Sequence, residues 1–251
     1  MRLNKIATLT TILGTLCLSS AANAFNVDKM IVVADEKGNG IVNLINDEAH
    51  PLFVKSHIQE IRIDNGSEIV RTDYSRENLT DWKVSLTNSK LVLKPGEEKS
   101  VGIRSLCHQV SCDNSKDLMF MLPFTPSRYN PTGEKLTGVE INYGFSPLYI
   151  IPTTEPRLDY KLFNQGEELR VVNNSNTMIN VYVDSCNDDN KSNCKQKYSV
   201  VKSNCKQKYS VVSGRDKTFP LAKNMQSERL DVTVTSYDKK YSNEMELDIQ
   251  E

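Results

Sequence analysis

Apolar residues in this chain recur at a period of two in short runs, and no stretch of useful length repeats them at a helical period. Such alternation gives an extended strand one apolar face, so the chain is confined to β-architecture. The runs include Val27 to Val33, Ile41 to Ile45, Leu52 to Ile63, Trp82-Val84-Leu86, Leu91-Leu93, Val101-Ile103 and Leu118 to Phe124. Polar turns such as Glu36 to Gly40, Asp64-Asn65-Gly66 and Pro95-Gly96 separate them. The most telling stretch is Gly138 to Pro152, GVEINYGFSPLYIIP. Val139, Ile141, Tyr143 and Phe145 alternate there with Glu140, Asn142 and Gly144, before the continuous apolar run Leu148 to Ile151. It reads as the last strand of one domain entering an inter-domain joint. Beyond Pro152 the pattern restarts with Leu169 to Val172, Met178 to Val183, Leu230-Val232-Val234 and Met245-Leu247-Ile249. The expected architecture is all-β, a sandwich over 25–153 followed by a smaller sandwich over 154–251.

Residues 1–24 precede this pattern. Arg2 and Lys5, the apolar run Ile6 to Leu18 and the ending Ala22-Asn23-Ala24 form a secretory signal peptide, with Phe25 as the expected mature terminus. The run is too short and too Thr-rich to span a bilayer, and no later segment approaches the roughly 20 apolar residues a span requires. The expected product is exported and not inserted in a membrane. A net charge of −1 carries no nucleic-acid footprint.

Of six cysteines, Cys17 lies in the leader, which leaves an odd five. The eleven residues KSNCKQKYSVV occur twice in tandem, at 191–201 and 202–212. Two copies of so short a unit cannot build a solenoid, and the repeat reads as an in-frame duplication or an error in the recorded sequence. Dropping one copy leaves four cysteines. Cys107 and Cys112 are spaced to close a small loop, and Cys186 with Cys194 a second one, as suits an oxidising compartment. Cys205 is then the odd thiol and a competitor of Cys194 for Cys186. A zinc site from Cys107, His108 and Cys112 lacks a second ligand pair. The extra eleven residues are expected to loop out of the second domain, because an odd shift within a strand turns its side chains to the wrong face.

The sequence offers little catalytic chemistry. His50, His57 and His108 are its only histidines, and it has no nucleophile elbow, phosphate loop or H-E-x-x-H pair. No cofactor, metal or enzymatic activity is expected. Sequons at Asn65, Asn78 and Asn173 are of the kind that occurs by chance.

Several motifs carry a resemblance. Leu91, Leu93, Pro95, Gly96 and Arg104 match an L-x-L-x-P-G-x7-R pattern, followed in order by the strands at Leu118 and Val139. In the second half come Cys186 and Cys194 with seven residues between, and later the basic turn Ser213 to Phe219. These features resemble the periplasmic pilus-assembly chaperones of the chaperone/usher pathway, in particular the alternate branch serving colonisation-factor and common-pilus fimbriae. The resemblance implies two immunoglobulin-like β-sandwich domains set at an angle, as in a boomerang. It implies a location in the periplasm, with fimbrial subunits and an outer-membrane usher as partners. It also implies that Val139, Ile141, Tyr143 and Phe145 are the side chains of a strand donated to the subunit's open groove. Lys29 falls where the family anchors the subunit's C-terminal carboxylate. The second basic anchor is missing, since Ser146 and Pro147 stand at its place, with Arg157 a substitute from the joint. Self-capping as a dimer is left open. The alternative, a fimbrial structural subunit or adhesin, would be a single incomplete sandwich.

Overall fold

Alternation becomes structure plainly at Gly40–Asn46, where Val42, Leu44 and Asn46 are buried and the residues between them are not. The computed structural model describes residues 24–107, 112–130, 142–184 and 206–250. The first sandwich contains β1 (Phe25–Val27), β2 (Ile31–Val33), β3 (Gly40–Asn46), β4 (Leu52–Ser56), β5 (Gln59–Asp64) and β6 (Glu68–Asp73). It continues through β7 (Val84–Leu86), β8 (Lys90–Leu93), β9 (Glu98–Ser105), β10 (Leu118–Met121), β11 (Phe124–Arg128) and β12 (Leu148–Ile151). Its sheets run β1-β3-β9-β7, β2-β12-β10-β5-β6 and β11-β4-β8.

The second sandwich holds β13 (Tyr160–Asn164), β14 (Glu168–Asn173), β15 (Ile179–Asp184) and β16 (Lys206–Val211). It is completed by β17 (Asp216–Pro220), β18 (Arg229–Ser236) and β19 (Ser242–Asp248), in sheets β13-β14-β17 and β16-β15-β18-β19. The chain is therefore all-β, with two sandwiches and only two short 3-10 turns among the described residues.

Each sandwich has its own apolar filling. Val42, Leu44, Leu52, Val101, Phe120 and Tyr149 lie at the centre of the first. Leu169, Val171, Ile179, Val181, Leu230 and Val234 fill the second. A third cluster joins the two. Ile61, Met119 and Ile150 on the outer face of the five-stranded sheet meet Met178, and Val212 and Tyr237 pack alongside.

Three asparagines that alternation does not reveal close strand ends. Asn46, Asn164 and Asn173 are fully buried. Each side-chain amide donates to three backbone carbonyls, and each Oδ1 accepts from the N–H two residues on. Burying so many peptide groups is tolerable only when they are paired. Because the Asn173 amide is committed in this way, that sequon is no glycan acceptor in the folded chain.

Two expectations are revised. Leu52 to Ile63 is not one strand: β4 and β5 belong to different sheets. Burial falls on Leu52, Val54 and Ile58 and then on Ile61, so the phase breaks between Ile58 and Ile61, where the chain has left β4 at Ser56 and entered β5 at Gln59. Of the strand expected from Val139, the described part from Asn142 is regular only from Leu148, preceded by an isolated bridge at Phe145, while Asn142 to Gly144 are irregular. Pro123 and Pro147 lie in the gap between bridge and strand, and neither can donate to a ladder.

Candidate functional site

Strand β12 sits between β2, which it pairs in parallel, and β10, which it pairs antiparallel. Its two faces do different work because successive side chains point to opposite sides. Tyr149 and Ile151 face the filling of the first sandwich, with Phe145 on the same side. Leu148 and Ile150 face the seam between the domains. Tyr149 is fully buried, its hydroxyl donates to the Gly38 carbonyl, and burial pushes its phenol well above the ordinary value.

Upstream, the chain is held at Phe145 and released beyond it. Phe124 N–H donates to Phe145 O at 2.7 Å, and Phe145 N–H donates back at 3.1 Å. The Phe145 ring lies 6.0 Å from that of Phe25. Gly144 permits this approach, since a Cβ there would lie 2.6 Å from the Phe124 carbonyl oxygen. Tyr143 is 77% exposed. Of the four side chains expected on one donated face, Phe145 thus packs against its own domain and Tyr143 projects into solvent. Val139 and Ile141 lie outside the described residues.

Lys29 precedes β2 and is half exposed, with its ammonium 3.6 Å from Asp28. Next to it, Met30 and Ile31 leave 49% and 39% of their surface exposed. Ile31 is opposite Leu148 in the parallel register, which puts Ser146 two residues upstream on one strand and Lys29 two residues upstream on the other. The Ser146 hydroxyl is shielded from solvent and has no hydrogen-bond partner among the described residues. Arg157 is exposed and borders a cavity of about 470 Å³ shared with Arg62, Ile63, Asp117, Ser213 and Gly214.

The joint is organised by a residue that alternation could not reveal. Asp117 is buried at the foot of β10. Its carboxylate accepts from Thr153 N–H at 2.9 Å, Met178 N–H at 2.7 Å and the Thr177 hydroxyl at 3.2 Å. Burial holds its pKa above the usual carboxylate value, although the three donors pull the other way. Asn176 adds bonds to Ser115 O and Glu155 O, and its Oδ1 accepts from Arg157 N–H. In sequence, the only sign of Asp117 is a single acid abutting an apolar run.

Cys107 and Cys112 are joined by a disulfide with their Cα atoms 5.4 Å apart. Cys186 and Cys194 lie outside the described residues. Among the described residues, no group of three or more His, Cys, Asp or Glu side chains could hold a metal, and no helix is long and apolar enough to cross a membrane.

An Escherichia coli protein described as "Uncharacterized 25.9 kDa protein in CS5 3'region" is 23% identical over 175 residues, covering 68% of this chain and 75% of that protein. Among solved structures, "Crystal Structure of Class 5 Fimbriae Chaperone CfaA" aligns with a TM-score of 0.49 at 15% identity, over 89% of this chain and 98% of the other. A CsuC-CsuE chaperone-tip adhesion subunit complex from Acinetobacter baumannii aligns at 0.49 with 13% identity, over 91% of this chain and 100% of the other. The family profile described as "CS5 fimbrial protein N-terminal domain" matches residues 27–152, half of the chain and nearly all of the first sandwich, and the protein belongs to that family.

Proposed function

We propose that this chain is a periplasmic chaperone that binds fimbrial subunits by β-strand donation, keeps their open grooves from aggregating and delivers them to an outer-membrane usher. The observation that carries the reading is the change of environment between Phe145 and Tyr143. Residues 145, 143, 141 and 139 would share one face if the stretch were extended against a partner strand. At Phe145 that face is covered by the protein's own core, and at Tyr143 it is open to solvent. A subunit with an unfilled groove supplies the missing cover, with main-chain hydrogen bonds for affinity and alternate side chains for fit. Burying Val139, Ile141 and Tyr143 contributes roughly 4–9 kcal/mol at about 1.5–3 kcal/mol per side chain, before the costs of ordering. Phe145 serves as the root of the donated strand.

In the same reading, Lys29 holds the subunit's terminal carboxylate, with the shielded Ser146 hydroxyl as a neutral partner in place of a second cation. Two separately filled sandwiches favour this assignment over a fimbrial structural subunit, which would be one incomplete sandwich.

The test is co-purification from the periplasm of cells expressing the chain with candidate fimbrial subunits, comparing wild type with Ile141→Asp and Tyr143→Asp. Subunits recovered with wild type and absent from folded variants support donation. Equal recovery with the variants places the binding surface elsewhere, and no recovery with wild type removes the chaperone reading.

A further inference from the structure

Strand β11 lies at the end of its sheet, in the order β11-β4-β8, so one of its two edges has no strand along it. The stretch proposed as the donated strand is tied to that edge only by the bridge between Phe124 and Phe145. These two residues exchange both backbone hydrogen bonds, at 2.7 and 3.1 Å, so the next pair placed to do the same lies two residues on in each strand. That pair is Pro126 with Tyr143.

Backbone groups of alternate residues point to opposite edges, so those of Phe124, Pro126 and Arg128 face the open edge and those of Thr125 and Ser127 face β4. In keeping with this phase, Tyr129 N–H donates to Pro51 O, on the β4 side, at 2.8 Å. Pro126 has no N–H to give, and its ring Cδ stands where the hydrogen would point, toward the carbonyl of any Tyr143 laid alongside. It is buried opposite Val54 and held there. Asn142 to Gly144 accordingly form no strand, and Tyr143 is 77% exposed. Among the described residues, no backbone hydrogen bond ties Asn142, Tyr143 or Gly144 to β11.

A proline alone does not abolish a pair in this ladder. Pro147, opposite Leu122, also lacks a donor, yet Leu122 N–H donates to Pro147 O at 2.9 Å. That pair is held from both sides, by the Phe124–Phe145 bridge and by the β10–β12 ladder. At Pro126 the ladder has support on one side only, and the single bond left to the pair does not offset the ordering of the residues it would fix.

We propose that Pro126 is a positioning residue that ends the chain's own ladder at Phe145 and so keeps the stretch from Tyr143 upstream off the free edge of β11 and open to a partner strand. The inference rests on the strand-donation reading and adds to it the device that holds the donor unpaired. Any other residue at 126 restores the N–H, completes a two-bond pair with Tyr143 and closes the stretch onto its own sandwich. A partner must then displace that pairing, and its apparent affinity falls with the fraction of chains left open. The same proline blunts β11 as an edge for unwanted strands.

The experiment compares wild type with Pro126→Thr, a residue suited to strands that supplies the missing donor. Native-state hydrogen exchange is read at the Tyr143 amide, with the Phe124 and Phe145 amides as the check that the bridge is intact. In wild type the Tyr143 amide is expected to exchange at nearly the rate of an unstructured chain. In Pro126→Thr it is expected to slow roughly 4- to 100-fold, the yield of two ordinary hydrogen bonds at about two- to tenfold each. Binding of a purified candidate fimbrial subunit is expected to weaken by the same factor. A Tyr143 amide already protected in wild type overturns the proposal, and that measurement needs no variant to fold. Unchanged exchange in folded Pro126→Thr overturns it too, as does slowed exchange with undiminished binding. Absence of subunit binding to wild type removes the strand-donation reading instead, while the exchange rates still decide whether Pro126 stops the ladder.

Discussion

Phe145 and Phe124 exchange both of their backbone hydrogen bonds, although neither neighbouring proline can extend the ladder between them. This bridge is the last described point at which the upstream strand is tied to its own sandwich. Stability and binding should therefore separate at adjacent positions. Phe145→Ala is expected to cost about 1–3 kcal/mol in chemical denaturation, as the half-buried ring leaves its contact with Phe25. Tyr143→Asp is expected to leave the denaturation midpoint within about 0.5 kcal/mol of wild type, because its side chain is exposed. A midpoint shift for Tyr143→Asp as large as that for Phe145→Ala would place both residues in the core.

Gly144→Ala tests the close approach itself. The added Cβ meets the Phe124 carbonyl oxygen at 2.6 Å, so the bridge must open or the backbone must shift. A loss of about 1–3 kcal/mol is expected, with faster hydrogen exchange at the Phe124 and Phe145 amides. Unchanged exchange at both amides would show that the strand accommodates the methyl elsewhere.

At the joint, Asp117→Asn puts an amide where one carboxylate oxygen accepted a backbone N–H from Thr153 or Met178. About 1–3 kcal/mol of stability should be lost, read as earlier unfolding or as new proteolytic cleavage near Thr153. The pH dependence has a defined sign. A carboxyl whose folded pKa lies above its unfolded value contributes most below the unfolded value, near 3.9, and loses that contribution as pH rises through the folded one. The stability difference between wild type and Asp117→Asn should accordingly narrow as pH is raised through that window. A difference that widens would mean the three donors outweigh burial.

The pairing of the distal cysteines follows from which copy is the strand. Asp184 lies opposite Lys206 at the end of the described β15–β16 ladder, and Cys186 and Cys205 are each within two residues of that pair in sequence. Non-reducing peptide mapping is expected to recover Cys107–Cys112 together with Cys186–Cys205, leaving Cys194 free. Recovery of Cys186–Cys194 would instead match the pairing expected from sequence.

Much of the fold was legible because strand alternation is a local property of the pleat. Val42 and Leu44, Leu169 and Val171, and Leu230, Val232 and Val234 each fall on buried faces in the phase their spacing implies. Asp117, Asn46, Asn164 and Asn173 were not legible, because a buried polar residue is recognised by the partners that satisfy it, and those partners lie far along the chain. The candidate site was legible as an alternating stretch, but its division at Phe145 was not.

By itself, the sequence determined the β class, the restart after Pro152 and the small loop at Cys107 and Cys112, since each depends on residues close together in the chain. Tertiary structure alone decided which face of β12 looks into its own sandwich and which into the seam, because both faces are apolar. It also decided which copy of KSNCKQKYSVV becomes β16. Identical segments have identical local preferences, so only the lengths of the flanking connections and the contacts of the Ser213-Gly214 turn could choose between them.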